Sequence, residues 1–549
     1  MQLPVLPFAI AIVGLVAADP SLAAQEVPGP LPAGAGMDSV SATSAAETQR
    51  RETLASAIAE AYAGNPVLAA RRYDQRSLDD EIGIAMAQAR PTAQVELSGG
   101  YEILLPGAIT QAGRPLSDRL NTPNIERNDL AGRLVIDQPL WTGGRVSTAV
   151  QAATRAALAG RETLRAVEGD LLLEVIAVYA DVRRDQDVLA VRRANLDALQ
   201  NTRNEVSARR DAGELTRTDI AQAQLQVRAA EVQMQAAEAQ LQASRAAFAA
   251  LVGRAPGLLA APPDLPGLPA NLDAALDQAE AHNPELGEAV AAERASRARI
   301  ALARSEAAPQ IVLRGTAAAN GPVVPFDMRD QDFTFGGRAT LAIPLSTGGR
   351  VRALVAQAQN RNTADELRIE GTRRQVVQSV IGAWNQWTVA EQNAAAQHAQ
   401  LDAARVFLEG SLAEYRQGLR STFDVLFAQN SLRDAETALL ASQRDSYVAR
   451  AAILRRIGLL EAQRLLADVP LHDPAAYQRT VRQRNAVPWG GLVRSLDRVA
   501  APSERRPEAA AALLASPAPR SATAPPAQAP ATITNLVARA PAAPAGRRK

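Results

Sequence analysis

Pro139-Leu140-Trp141-Thr142-Gly143-Gly144-Arg145-Val146 returns 205 residues later as Pro344-Leu345-Ser346-Thr347-Gly348-Gly349-Arg350-Val351. Downstream the spacing persists. Val175, Ile176 and Tyr179 answer to Val380, Ile381 and Trp384, Gly213 to Gly418, Asp219 to Asp424, and Gly253 to Gly458. Upstream the spacing is 218: Asn65-Pro66 matches Asn283-Pro284, Leu68 matches Leu286, and Pro91 matches Pro309. Register held over such spans marks an internal duplication. The spacing changes between Pro91 and Arg145, where an exposed loop is expected, because insertions concentrate in loops.

Periodicity changes twice within each repeat. Thr53 to Arg90 has helical spacing and stops at Pro91, which cannot continue a helix. Val95, Leu97, Gly99, Tyr101 and Ile103 then alternate with Gln94, Glu96, Ser98, Gly100 and Glu102, the pattern of a two-faced strand. A loop rich in Pro, Gly and Asn runs from Pro106 to Asn128, and alternation resumes at Leu130, Gly132, Leu134 and Ile136 against Arg133 and Asp137. Repeat two alternates at Ile311, Leu313, Gly315 and Ala317, then at Phe333, Phe335, Gly337, Ala339, Leu341 and Ile343. Each Thr-Gly-Gly-Arg turn leads into a long proline-free segment. From Arg145 to Arg210 a helix would span on the order of 100 Å at ~1.5 Å per residue. Val175, Val182, Leu189 and Leu196 recur every seventh residue, with Leu172 and Tyr179 in the companion position. Val380, Trp387, Ala394 and Leu401 are their equivalents, and sustained heptads mean coiled-coil packing. Gly213 and Gly418 mark turns, after which a second helix returns in each repeat.

The organisation expected is therefore a secretory signal at 1–24, a flexible segment at 25–50, and repeat one at 51–255 with a β-hairpin at about 92–141. A Pro-rich linker follows at 256–270, then repeat two at 271–462 with a hairpin at about 310–345. Residues 463–500 form a further segment, and 501–549 is an Ala/Pro-rich tail expected to be disordered. The signal departs from the usual pattern in having no Lys or Arg before its apolar run.

Composition excludes several classes. There is no cysteine, hence no disulfide framework, thiolate nucleophile or thiolate metal site. His282, His398 and His472 have no ligand spacing. A net charge of +1 gives no field for nucleic acid. No P-loop or nucleophile elbow is present, so no enzyme activity, cofactor or metal is expected. No transmembrane helix follows the signal. Four amphipathic strands remain, too few to close a barrel with a usable lumen. Either the hairpins form a small soluble sheet, or several chains share one barrel whose apolar face meets lipid.

The order helix, Asn-Pro, helix, Pro, hairpin, long helix, Gly turn, long helix, twice over, resembles the TolC family of outer-membrane efflux proteins across roughly residues 50 to 462. The motifs that carry the likeness are Asn65-Pro66, Asn283-Pro284, the two Thr-Gly-Gly-Arg turns, and the pairs Gly213…Asp219 and Gly418…Asp424. The resemblance implies an α+β membrane protein in which duplicated long helical hairpins form a trimeric α-barrel. Two β-hairpins per chain would contribute to a shared twelve-stranded transmembrane β-barrel. The Pro-rich linkers and residues 463 to about 500 would form an equatorial belt. It implies an outer-membrane location reaching into the periplasm. The function implied is a passive gated conduit of a tripartite efflux or type I secretion system, working as a homotrimer with a periplasmic adaptor and an inner-membrane pump. A periplasmic coiled-coil adaptor is the rival reading, and a soluble structural coiled coil another; neither needs paired amphipathic hairpins.

By the same resemblance, Tyr415, Arg420, Thr218 and Asp219 would latch the periplasmic entrance, with Arg420 bonded to Asp219 across two coils. The alternative is that these are helix caps and solvated charges. Asp424 would form an acidic ring in the lumen. Phe427 stands where relatives can carry a second acidic ring, which suggests a hydrophobic constriction; coiled-coil core is the other account of Phe427. Gly213, Glu214, Leu215, Gly418, Leu419 and Arg420 would be the tips that meet the adaptor.

Overall fold

A computed structural model describes residues 52–104, 115, 125–265, 267–322, 327–465, 472–486, 495 and 497. The expected signal, the segment at 25–50 and the tail at 501–549 lie outside the described residues.

Each repeat contributes the same series. Repeat one holds α1 (Leu54–Gly64), α2 (Pro66–Ala87), β1 (Thr92–Leu104), β2 (Ile125–Trp141), α3 (Arg145–Asp211) and α4 (Arg217–Val252). Repeat two holds α5 (Leu272–His282), α6 (Pro284–Ser305), β3 (Gln310–Gly321), β4 (Asp332–Ala342), α7 (Arg350–Arg416) and α8 (Thr422–Arg456). Short helices α9 (Ala462–Leu465) and α10 (Ala476–Arg484) follow. The counterparts α3 and α7 both have 67 residues. Strand β2 starts at Ile125, so the last four residues of the expected loop belong to the sheet.

The duplicated motifs do the same physical work twice. Asn65 Oδ1 accepts from the amides of Val67 and Leu68, capping α2 with proline at its first position, while Nδ2 donates to the Leu251 carbonyl. Asn283 does likewise for α6, donating to the Arg456 carbonyl. Each cap thus also ties the end of its repeat's returning helix to the start of the second short helix of the same repeat.

The main core lies along the middle of α3. Val175, Ile176, Tyr179 and Val182 pack with α1, Phe248 of α4, and Ile453 and Leu454 of α8. The linker crosses this region: Leu259 is buried there, and the Ala260 carbonyl accepts from Tyr179 Oη at 2.8 Å. A smaller cluster of Leu199, Val227, Ala230 and Leu426 joins the repeats lower down.

The four strands form one antiparallel sheet in the order β1-β2-β3-β4. Register keeps the two faces separate. Val95, Leu134, Ala317 and Phe335 are successive neighbours across one face, and Glu96, Arg133, Ala318 and Thr334 across the other. On the polar face Arg314 bonds Asp137 through two contacts of 2.6 and 2.8 Å. The apolar face is open: Leu97 is 74% exposed and Phe335 73%.

The segment after α8 lies along the repeat-one helices. Helix α10 lies against α2, with Val481 and Asn485 seated over Gly83 and Tyr477 bonded to Asp80. Asp497 reaches the Thr142–Gly144 turn at the foot of the sheet. Among the described residues, α10 meets α3 at Arg161 and Thr154, and Asp497 meets its first turn at Ser147. The reason is local: Gly83 leaves the close approach that α10 needs, and the turn offers amides for a carboxylate.

Candidate functional site

The site expected from the sequence lies at the α3–α4 and α7–α8 turns. The two turns share one geometry. Gly213 (φ 83°) and Gly418 (φ 76°) adopt the left-handed conformation that closes a helix. The Glu214 amide donates to the Arg209 carbonyl at 2.9 Å, and the Leu419 amide to the Glu414 carbonyl at 3.0 Å. Thr216 and Asp219 then form a reciprocal capping box at the start of α4, as do Ser421 and Asp424 at the start of α8. Asp219 Oδ2 accepts from Thr216 N and Oγ1 at 2.8 and 2.7 Å. Asp424 Oδ2 accepts from Ser421 N and Oγ at 3.0 and 2.7 Å. The Thr216 hydroxyl, then its amide, hold the Asp219 carboxyl below the usual carboxylate range. The Ser421 hydroxyl and amide do the same for Asp424, with Arg420 adding a smaller attraction. Both are therefore anions at neutral pH.

Within the chain, the tip side chains make the following pairs. Among the described residues of this chain, no bond joins Arg420 or Tyr415 to Thr218 or Asp219. Arg420 pairs instead with Glu414, and its guanidinium carbon stands 5.8 Å from the centre of the Phe407 ring. Tyr415 meets Arg209, whose guanidinium carbon lies 5.1 Å from the ring centre. The Tyr415 hydroxyl is the leading cause of a raised Arg209 pKa. Arg209 also pairs with Glu214 at 3.5 Å. The physical reason is proximity: Glu414 is brought back onto Arg420 by the turn, and the Asp219 oxygen is already committed to its cap. Thr218 is exposed on the first turn of α4. Leu215 is half-buried, while Leu419 is 73% exposed at the extremity of the second tip.

Sequence reasoning missed Arg209 and Glu414. They occupy equivalent positions, 205 apart, with opposite charges, and that reversal was a readable signal. It also missed the aromatic company of Phe427. The Phe427 ring stacks on Phe423 at 6.4 Å and meets Phe407 edge-on at 6.3 Å, yet Phe423 and Phe427 both remain exposed. Buried partners on the same helix are Val425, Leu426 and Ala428, so Phe427 is not part of the coiled-coil core within the chain. Above the tips, polar bonds join the repeats: Asn430 to Gln226 at 2.9 Å and Gln429 to Thr202 at 3.3 Å.

A second built site was not foreseen. Asp497 is 1% exposed at the Thr142-Gly143-Gly144 turn. Its Oδ1 accepts from Thr142 N, Thr142 Oγ1 and Gly144 N at 3.0, 2.7 and 2.9 Å, and its Oδ2 from Ser147 N at 3.0 Å. Burial pushes this carboxyl up, but the bonds outweigh it and hold it below the ordinary range. Helix α3 has no capping side chain of its own at Gly144, so Asp497 supplies the cap from the far end of the chain.

Residues 57–254 and 275–459 match the family described as "Outer membrane efflux protein". The chain is 29% identical over 441 residues to outer membrane efflux protein BepC of Brucella suis biovar 1, covering 80% of this chain and 92% of that one. It is 26% identical over 400 residues to outer membrane protein TolC of Vibrio cholerae, covering 71% and 90%. Among solved structures, the CmeC outer membrane channel of Campylobacter jejuni superposes with a TM-score of 0.62 at 13% identity, covering 83% of this chain and 98% of that one, which shows a shared fold. The match takes in both repeats, hairpins included, and sets the adaptor reading aside. This chain belongs to the outer membrane efflux protein family.

Proposed function

We propose that the chain is one protomer of a homotrimeric outer-membrane channel, a passive conduit in a tripartite efflux or type I secretion system, with no catalytic step of its own. The observation that carries this is the sheet. Among the described residues, β1 and β4 each have a strand neighbour on one side only, and one face is apolar and exposed. Open edges are not tolerated in lipid, so the sheet must be completed by other copies. Strand directions alternate, so a neighbour's β1 meets β4 antiparallel, and three copies give twelve strands.

The helices support the same assembly. Helix α6 packs against both α3 and α7, whereas its counterpart α2 packs against α3 alone among the long helices. Val67, Tyr73 and Ile84 of α2 stay exposed, as does Leu367 of α7. The neighbour that α2 lacks is α7 of a second copy. The tips form the periplasmic entrance, where Arg209–Tyr415 and Arg420–Glu414 hold the turns and Asp424 and Phe427 narrow the passage. Gly213, Glu214, Leu215, Gly418, Leu419 and Arg420 meet the adaptor, and the inner-membrane pump lies beyond it. Exposed contacts of this kind are weak, which suits contacts that must part on opening.

The test is outer-membrane fractionation followed by native mass determination of the detergent-purified complex. A trimer recovered from the outer membrane is expected. A soluble monomer would overturn the shared-barrel reading.

A further inference from the structure

The duplication extends to strand register. Val95 lies opposite Leu134 in the first hairpin, and their equivalents Leu313 and Ala339 lie opposite each other in the second. The pairing that joins the repeats sets Gly132 opposite Ala319 and Ile136 opposite Gly315. Shifting β2 residues by 205 and β3 residues by −218 turns these into Gly337 opposite Tyr101 and Leu341 opposite Leu97. Those residues sit on the two edge strands, so the transposed pairing can only join two copies. We infer that β4 of one copy pairs with β1 of the next in this register, with Tyr101 of one seated over Gly337 of the other. The inference rests on the shared-barrel reading above.

An independent feature fits it. The apolar face carries a dent of about 440 Å³ lined by Leu134, Ile136, Gly315, Ala317, Phe335 and Gly337. It exists because Gly315 and Gly337 face each other across β3 and β4, and a Cβ built on Gly337 meets nothing within 4 Å. An aromatic ring laid across a strand glycine restores the contacts the glycine lacks. Tyr101 is 63% exposed on the opposite edge, on the same apolar face. The transposed register keeps both faces consistent. Leu341 meets Leu97 and Phe335 meets Ile103 on the lipid side. On the polar side Arg338 falls opposite Gly100, which leaves room for its guanidinium to reach Glu102 on the diagonal.

Because the native chain has no cysteine, cross-linking has a clean background. A chain carrying Leu97→Cys and Leu341→Cys should form disulfide-linked trimers on mild oxidation. Directly opposite Cβ atoms lie ~4.5–5.5 Å apart, close enough to bridge after small adjustment. The off-register pair Leu97→Cys with Ala339→Cys should link at least about tenfold less, since the two positions are diagonal neighbours ~7–8 Å apart. Trimers by native mass in which the off-register pair links better, or neither links, would overturn the register while leaving the shared barrel intact. A monomer by native mass would instead remove the reading beneath it. Tyr101→Ala should lower the temperature of trimer dissociation by several degrees, and Tyr101→Phe should retain it. An unchanged dissociation temperature in Tyr101→Ala would mean that the dent takes a lipid chain rather than the neighbour's ring.

Discussion

Replacing Asp497 with alanine should loosen one strand–helix junction and spare its twin. The carboxylate is buried and accepts four bonds, three of them from the amides of Thr142, Gly144 and Ser147. A net hydrogen bond to a charged group is worth ~1.5–3 kcal/mol, and a lost helix cap costs ~0.5–2 kcal/mol. Water entering the vacated space recovers part of that. A local cost of about 3 kcal/mol is therefore expected, which corresponds to about a hundredfold faster opening at ~1.4 kcal/mol per factor of ten. Hydrogen exchange of the purified protein reads this directly. Amides of Gly144 and Ser147 should lose on the order of 100-fold protection, while their equivalents Gly349 and Arg352, which have no counterpart of Asp497 among the described residues, should not change. Asp497→Asn, which keeps one acceptor oxygen, should fall between. The lowered pKa of Asp497 sets the sign with pH. Its contribution is full above the ordinary carboxylate pKa and is lost as pH falls through the lowered value. Unchanged exchange at residues 142–147 in the alanine variant would refute the cap.

The remaining expectations are independent of that one. Gly143→Ala should be costly, because φ is 61° and the new Cβ would stand 2.3 Å from that of Ala308; Gly348→Ala in the isolated chain has open space and should cost only ~1–2 kcal/mol for its left-handed backbone. Denaturant unfolding of the dissociated monomer separates the two, and equal costs there would count against the close approach. The caps of Asp219 and Asp424 should hold the tips from neutral pH down to about 4 and fail only as pH falls through their lowered values. A spin label at Gln417 that gains mobility already near pH 6 would contradict this. Tyr415→Leu with Arg420→Ala should raise conductance in planar bilayers by releasing both tip contacts; unchanged conductance would remove them from the gate. Phe427→Asp should make the pore more sensitive to divalent cations, and no change in block would place Phe427 outside the lumen.

Much of the fold was legible because it is periodic and written twice. Helix α3 begins at Arg145, where the Thr-Gly-Gly turn ends, and runs to Asp211, two residues before Gly213. Alternation placed Leu97 and Phe335 on the exposed face and Glu96 and Arg133 on the other, as the register has them. Asn65 and Asn283 were readable as motifs, and their N-capping follows from Asn-Pro at a helix start. Local chemistry suffices for all of these, since helix stops, strand faces and caps depend on residues a few positions apart.

Contacts between distant segments obey no such rule. Nothing in the sequence around Asp497 marks it as the cap of a helix that starts at Arg145, because the bond depends on where the chain returns after α10. The contacts of the tip side chains within the chain depend on the same kind of packing. The family resemblance nominates Arg420 and Asp219 as partners; within the chain the turn presents Glu414 to Arg420, and Thr216 bonds Asp219 Oδ2. The sequence by itself determined the duplicated elements, their lengths and their faces, since these follow from periodicity and local caps. Only the tertiary structure decided which charge meets which, where the C-terminal segment anchors, and that the β2–β3 seam carries a register that can be transposed to a neighbouring copy, since each of these depends on segments brought together by packing.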